Sequence, residues 1–325
     1  DISVIIPTCS EKAPLEACLR SLAHQSLAPS RYEILVVNNG GPRRSDRFLK
    51  PLLAPFSGRA RLIETGGNLG FAGGCRAGVE ASQGEFLAFH NDDSIADPTW
   101  LALAWAEMKA ASDVAVAASR IVNVDGPTLQ HEGVIQTHPH GLFWQVGWGT
   151  PDTVGARMDS RAGDGDIPAG PRIPSRPPAT HSRDVDFFSG CVWMTPRAIW
   201  EEVGGLSTAY HPGYYEDTEY GLRCRQLGYR VRVLLSATCG HHGSATLEYG
   251  SGKFWVTFHR SRYLFLARNL TGCTLGETLR SEAAWWRDHH AGHAALPCLA
   301  GLLSALPAMP RALLNRRRFR KRLAR

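Results

Sequence analysis

The chain has 325 residues, 43% of them hydrophobic and 20% charged, which excludes a disordered polypeptide and leaves room for one large α/β domain or two small ones. Its formal charge of +6 belongs to the tail: residues 311–325 hold eight Arg and Lys and no acid, and the rest carries 28 basic against 30 acidic residues. A nucleic-acid-binding body is thereby excluded.

Short apolar runs alternate with amphipathic stretches through the first third of the chain, the pattern of βαβ units in a mostly parallel sheet covered on both faces. Strands are predicted over 2–7, 33–38, 60–64, 85–90 and 114–122. Helices are predicted over 13–25, 71–82 and 98–111, the last capped by Asp97 with Pro98 at its first position. In such sheets the active residues lie beyond the carboxyl ends of the strands, which directs attention to Thr8-Cys9, Asn38-Asn39, residues 65–74 and residues 91–94.

Residues 149–183 are rich in Pro, Gly, Asp and Arg with little periodicity and read as a long loop, a candidate cover for an active site. Beyond it a strand is expected over 185–194, a helix from Pro196, a helix over 217–227 ending at Gly228 and a strand over 229–234. Two long helices, 253–268 and 275–290, precede the basic tail. The apolar stretch 296–314 contains Pro297, Pro307, Pro310 and Arg311 and is not expected to form a membrane span. The opening Asp1 to Pro7 reads as a strand rather than a signal peptide. Eight scattered cysteines without a C-x-x-C pair fit reduced thiols of a cytosolic protein.

Four constellations could carry chemistry. In Phe89-His90-Asn91-Asp92-Asp93-Ser94 two adjacent carboxylates follow an apolar strand; a divalent cation such as Mg²⁺ or Mn²⁺ relieves their repulsion and keeps positions open for phosphate oxygens. Turn and capping chemistry accounts for the same residues. Tyr214-Tyr215-Glu216-Asp217-Thr218-Glu219 opens a helix, so its acids read either as first-turn carboxylates or as a general base aimed at a hydroxyl. Cys239-Gly240-His241-His242-Gly243 puts imidazoles on a loop after a strand, available to complete a carboxylate metal site or simply solvated. Thr65-Gly66-Gly67-Asn68-Leu69-Gly70-Phe71-Ala72-Gly73-Gly74-Cys75-Arg76 is a glycine-rich turn entering a helix, suited to close approach of a nucleotide or its phosphates. It has no G-x-G-x-x-G register, and Gly250-Ser251-Gly252-Lys253-Phe254 is no phosphate-binding loop. No G-x-S-x-G elbow supports a hydrolase.

Taken in order, these motifs resemble family 2 of the glycosyltransferases, with the α/β GT-A fold. Val4-Ile5-Ile6-Pro7-Thr8 and Glu33 to Asn39 resemble the family's first two nucleotide-binding strands, and Asn68 to Gly74 resembles the turn of its bacterial rhamnosyltransferase-like branch. Asn91-Asp92-Asp93 falls at the DxD-type position. Gly204-Gly205-Leu206, Tyr215-Glu216-Asp217, residues 223–229 and His241 follow the acceptor-side order.

The resemblance implies a GT-A domain over 1–270, divided into a nucleotide-sugar half (1–125) and an acceptor half (185–270), with a helical extension over 271–325. It implies donor contacts from Pro7, Thr8, Asn38, Asn39, Asn68, Gly70, Gly74, Arg76, Asn91 and Asp92, a Mg²⁺ or Mn²⁺ ion on Asp93 and His241, acceptor contacts from Trp193, Tyr215 and Glu216, and Asp217 as the base of an inverting transfer. The donor would be a dTDP- or UDP-linked sugar, the acceptor a saccharide, a lipid-linked species or a natural product, and the protein a candidate homo-oligomer. Asn38 replaces the family's usual Asp, Arg76 its Asn, and Leu206-Ser207 its Phe-Asp. The leucines before Arg316-Arg317-Arg318 resemble an interfacial anchor for an anionic inner leaflet, which would make a cytoplasmic protein peripheral to the membrane; a solvated charged helix end is the other reading. A sugar nucleotidyltransferase should carry a Gly-rich, Arg-containing loop after its first strand, where this chain has Pro7-Thr8-Cys9-Ser10. A non-catalytic saccharide-binding module of the same fold is the third alternative.

Overall fold

A computed structural model describes residues 1–9, 14–56, 58–126, 128–134, 182–243, 250–269, 275–289 and 295–323. Nearly all of the expected 149–183 loop lies outside these.

Among the described residues ten strands form one sheet: β1 (Ile2–Thr8), β2 (Tyr32–Asn38), β3 (Ala60–Glu64), β4 (Phe86–His90), β5 (Ser94–Ala96), β6 (Val114–Asn123), β7 (Leu129–His131), β8 (Ser182–Asp184), β9 (Val192–Pro196) and β10 (Arg230–His241). Their order is β3-β2-β1-β4-β9-β6-β10-β5, with β7 beside β6 and β8 beside β10. The first four run parallel. β9 is reversed against both β4 and β6, so the sheet is mixed around its middle.

The principal helices are α1 (Leu15–Ala23), α2 (Gly70–Glu80), α3 (Trp100–Ala110), α4 (Arg197–Val203), α5 (Glu216–Gln226), α6 (Gly252–Asn269), α7 (Leu275–His289), α8 (Ala295–Ala305) and α9 (Met309–Leu323). Short helical turns occupy Pro42–Arg44 through Ala54–Phe56. Strand alternation divides the core. Ile2, Val4 and Ile6 join Leu15, Leu19, Leu22 and Trp100 on one face, while Ile5 joins Ala72, Val79, Phe89, Trp193, Trp200 and Tyr220 on the other.

Several expectations are corrected. The strand expected over 185–194 forms only from Val192, as β9, which runs on to Pro196; β8 lies before the expected span, and Phe187 makes an isolated bridge to Val134. The strand expected over 229–234 extends to His241, pairing with β6 across a bulge between Leu234 and Thr238. Asp97 does not cap α3: its Oδ1 accepts from the Thr99 amide at 2.7 Å and hydroxyl at 2.6 Å, closing the turn that precedes the helix. The prolines of 296–314 do not break that stretch either. Pro297 and Pro310 fall in the first turns of α8 and α9 and Pro307 in the 3-10 turn Leu306–Ala308 between them, where the missing amide has no helical partner to lose. A continuous helical segment, Leu296–Arg316, is long and apolar enough to cross a membrane by length and composition, with mean hydropathy 1.3.

Candidate active site

The sheet brings Asp93 and His241 together. β5 pairs antiparallel with the end of β10, setting Ser94 opposite His241, and the His242 amide donates to the Asp93 carbonyl at 3.1 Å. His241 Nε2 then lies 3.1 Å from Asp93 Oδ1. Nδ1 faces Gln130 Oε1 at 2.8 Å, and the Gln130 amide donates to the His241 carbonyl at 2.9 Å. Gln130 Oε1 thus accepts a hydrogen bond from Nδ1–H and leaves Nε2 as the ring nitrogen directed at Asp93. Burial works against the imidazolium, but the Cys191 thiol and the Asp93 carboxylate outweigh it and hold the imidazole well above its usual range.

Asp92 extends this acidic end toward β1. Burial pushes its carboxyl up to about 6, against the opposing pull of the Thr8 hydroxyl and of Arg44. Arg44, buried, donates from Nη2 to Thr8 Oγ1 at 2.8 Å and from Nη1 to the Thr8 carbonyl at 3.2 Å. The sequence motifs miss this cation: its neighbour Arg43 is exposed, and nothing in the string distinguishes them.

Asp217 is the second residue of α5, one turn position later than the helix start; the preceding Tyr214 and Tyr215 take φ of 72° and 73°. Its Oδ2 accepts from the Gly190 amide at 2.7 Å and its Oδ1 from the Thr218 amide at 2.7 Å. A Cβ on Gly190 would lie 3.0 Å from Oδ2, so glycine is what permits the contact. The adjacent Cys191 carbonyl accepts from the Asn91 amide at 2.8 Å, which ties the Asp217 loop to the Asp92-Asp93 turn. Burial raises the Asp217 carboxyl, with the Gly190 and Thr218 donors opposing it, and raises the neighbouring Glu216 carboxyl further.

Other expected site residues are occupied elsewhere. Asn38 Nδ2 donates to Gly41 and to Glu64 Oε2, and its Oδ1 accepts from Gly40. Asn39 holds the glycine-rich turn through the Leu69 amide and the Gly70 carbonyl, and Asn68 Oδ1 accepts from Gly70. The glycines there serve packing: a Cβ on Gly70 would lie 2.5 Å from His211 Nδ1, and one on Gly74 would lie 3.0 Å from Pro7. Arg76 donates to the Gly204 carbonyl at 3.0 Å, tying α2 to the turn after α4 rather than entering the acidic cluster. Trp193 is fully buried, stacked on Phe89 with centroids 4.4 Å apart. Tyr215 is buried against Phe258 and Phe265 of α6.

The donor chemistry fits a hard divalent cation. Asp93 and His241 offer oxygen and nitrogen, and the Asn91 side-chain oxygen is buried without a partner. Among the described residues no three His, Cys, Asp or Glu side chains form a ready cage.

The mixed sheet flanked by helices has the GT-A fold. Three solved structures share it: GalNAc-T7 with UDP, GalNAc and Mn²⁺ (13% identity, TM-score 0.56, 89% of this chain and 55% of that one), the 1–349 fragment of S. aureus TarS (14%, 0.56, 96% and 81%), and the mannosyltransferase PcManGT of Pyrobaculum calidifontis with GDP-Man and Mn²⁺ (16%, 0.53, 99% and 83%). Residues 3–154, a little under half of the chain, match the Glycosyl transferase family 2 model. A curated relative, the glycosyltransferase AglE of Haloferax volcanii, is 31% identical over 100 residues, which are 31% of this chain and 33% of the relative.

Proposed function

We propose that the chain is an inverting, metal-dependent glycosyltransferase that moves a hexosyl group from a nucleoside-diphosphate sugar to an acceptor hydroxyl. The observation that supports this reading is the convergence of Asp93 with His241, together with the Gly190-Cys191 link from the Asp217 carboxylate to the Asn91 backbone. UDP or GDP-Man and Mn²⁺ in the structural relatives support a nucleotide-sugar donor and a divalent ion. The donor base is thymine or uracil, and the acceptor is a saccharide, a lipid-linked species or a natural product.

Asp93 and His241 would hold Mg²⁺ or Mn²⁺, which would supply neutralisation of the charge gathering on the leaving diphosphate. Asp92, Thr8 and Arg44 line the donor end, where Arg44 supplies fixed positive charge for phosphate oxygens or a base carbonyl. Asp217 accepts the proton of the acceptor hydroxyl as its oxygen bonds to the anomeric carbon. The bond from that carbon to the diphosphate oxygen breaks, and its electron pair leaves with the nucleotide. Attack opposite the leaving group inverts the anomeric centre. Burial raises the Glu216 carboxyl more than that of Asp217, whose Gly190 and Thr218 donors favour its ionised form.

A panel of nucleotides and nucleotide sugars tested by thermal shift with Mn²⁺, followed by assay of nucleoside-diphosphate release with acceptors, tests the reading. Pyrophosphate as product, or stabilisation by saccharides and by no nucleotide, would overturn it.

A further inference from the structure

The C-terminal helices present one face to the protein and the other to solvent, and the two faces differ in kind. Cys298, Ala305 and Ala312 are buried, and a Cβ on Gly301 would lie 2.8 Å from the Arg260 amide nitrogen and 3.0 Å from the Val256 carbonyl. Small side chains thus seat α8 directly on the backbone of α6, and α9 also packs on α6. The outward positions carry Leu299, Leu303, Leu306, Leu313 and Leu314, each between 44% and 57% exposed, and Leu296 at 80%.

Their spacing repeats at the helical period, making a stripe along roughly 27 Å of helix. A contiguous apolar stripe of this kind on a folded protein marks a contact surface. The same helix continues into Arg316-Arg317-Arg318 and Arg320-Lys321-Arg322, within a stretch of eight basic residues and no acid over 311–325.

We propose that this stripe and the basic run together dock the protein flat on an anionic lipid bilayer, with the leucines in the acyl boundary and the cations among the headgroups. Charge complementarity selects the occupant. An apolar face continued by cations without acids matches negatively charged lipid over hydrocarbon. The packing of both α8 and α9 on α6 selects the orientation, because a helix crossing the bilayer would abandon its seat on the domain. The surface is independent of the catalytic reading.

Flotation of the full chain with phosphatidylcholine vesicles, with and without phosphatidylglycerol, tests the proposal. The expected result is binding to the anionic vesicles that weakens in high salt, and a loss of at least about tenfold in partitioning for Leu299→Ser/Leu303→Ser/Leu306→Ser and for Arg316→Gln/Arg317→Gln/Arg318→Gln. The nucleoside-diphosphate thermal shift should persist in both variants, which separates failure of docking from failure of the fold or of the donor site. Indifference to anionic vesicles, equal binding to neutral ones, or protection of the C-terminus from protease inside the vesicle would overturn it; the last marks a crossing helix.

Discussion

The Gly190 amide donates to Asp217 Oδ2 at 2.7 Å, and a Cβ on Gly190 would lie 3.1 Å from the Asp217 Cβ. Gly190→Ala therefore pushes the carboxylate off its position while leaving the Asp93-His241 pair in place. The expected outcome is a fall in kcat of about 100-fold, the scale of an ångström's misplacement at a reacting group, with nucleotide affinity unchanged. Asp217→Asn should lose roughly 100- to 10,000-fold in kcat with the same retained binding. Steady-state kinetics alongside calorimetric nucleotide titration checks both.

The pH profile carries a second signature. Burial raises the Asp217 carboxyl above its ordinary value, and a base must be ionised to act, so kcat/KM falls as pH falls through the raised value. The acid limb should lie above the usual carboxylate position near about 4, and the residual activity of Asp217→Asn should lack that limb.

Arg44 and Arg76 have opposite expectations. Arg44→Gln removes the cation bonded to Thr8 and should weaken nucleoside-diphosphate affinity about tenfold or more, on the scale of a charged hydrogen bond. Arg76→Ala removes the tie to Gly204 and should lower thermal stability by about 1 kcal/mol with the donor KM unchanged. Measuring Tm and KM for both variants distinguishes the roles.

Glu219 tests the junction between α5 and α6. Its carboxylate receives Arg268 Nε at 2.6 Å and Arg223 Nη2 at 2.8 Å. Burial alone would raise its pKa, but these cations and the Asn269 amide hold it low. A depressed folded pKa contributes stability that is present above the unfolded value of about 4.3 and lost as pH falls through the folded one. Glu219→Ala should cost about 3–5 kcal/mol at neutral pH by leaving a buried cation unpaired, and the wild type's own stability should decline as pH falls below about 4. Urea unfolding at both pH values checks the sign.

The sequence was most legible where burial is continuous. β1, β2 and β4 fall within a residue of their predicted spans because each is a short apolar run bounded by turn residues. The three-residue strands β5, β7 and β8 were missed, since so few residues carry no period, and β5 is the strand that brings His241 to Asp93. Trp193, Tyr215 and Arg76 were assigned by their place in a motif order, whereas packing decides them: Trp193 fills the sheet face between Phe89 and Tyr220, Tyr215 seats the Asp217 loop on α6, and Arg76 reaches a helix end. Gly70 and Gly74 were legible as necessary glycines, but the neighbours that require them are His211 and Pro7.

The contact between Gly70 and His211, reinforced by the Phe71 amide donating to the Pro212 carbonyl at 3.0 Å, stitches a turn from the first quarter of the chain to one from its second half. The two halves are therefore not interchangeable cassettes. A chimera built to alter acceptor choice by grafting residues 185–270 from a relative must import the partner turn at 68–71 with it, or the graft will meet a side chain where this chain has left a gap.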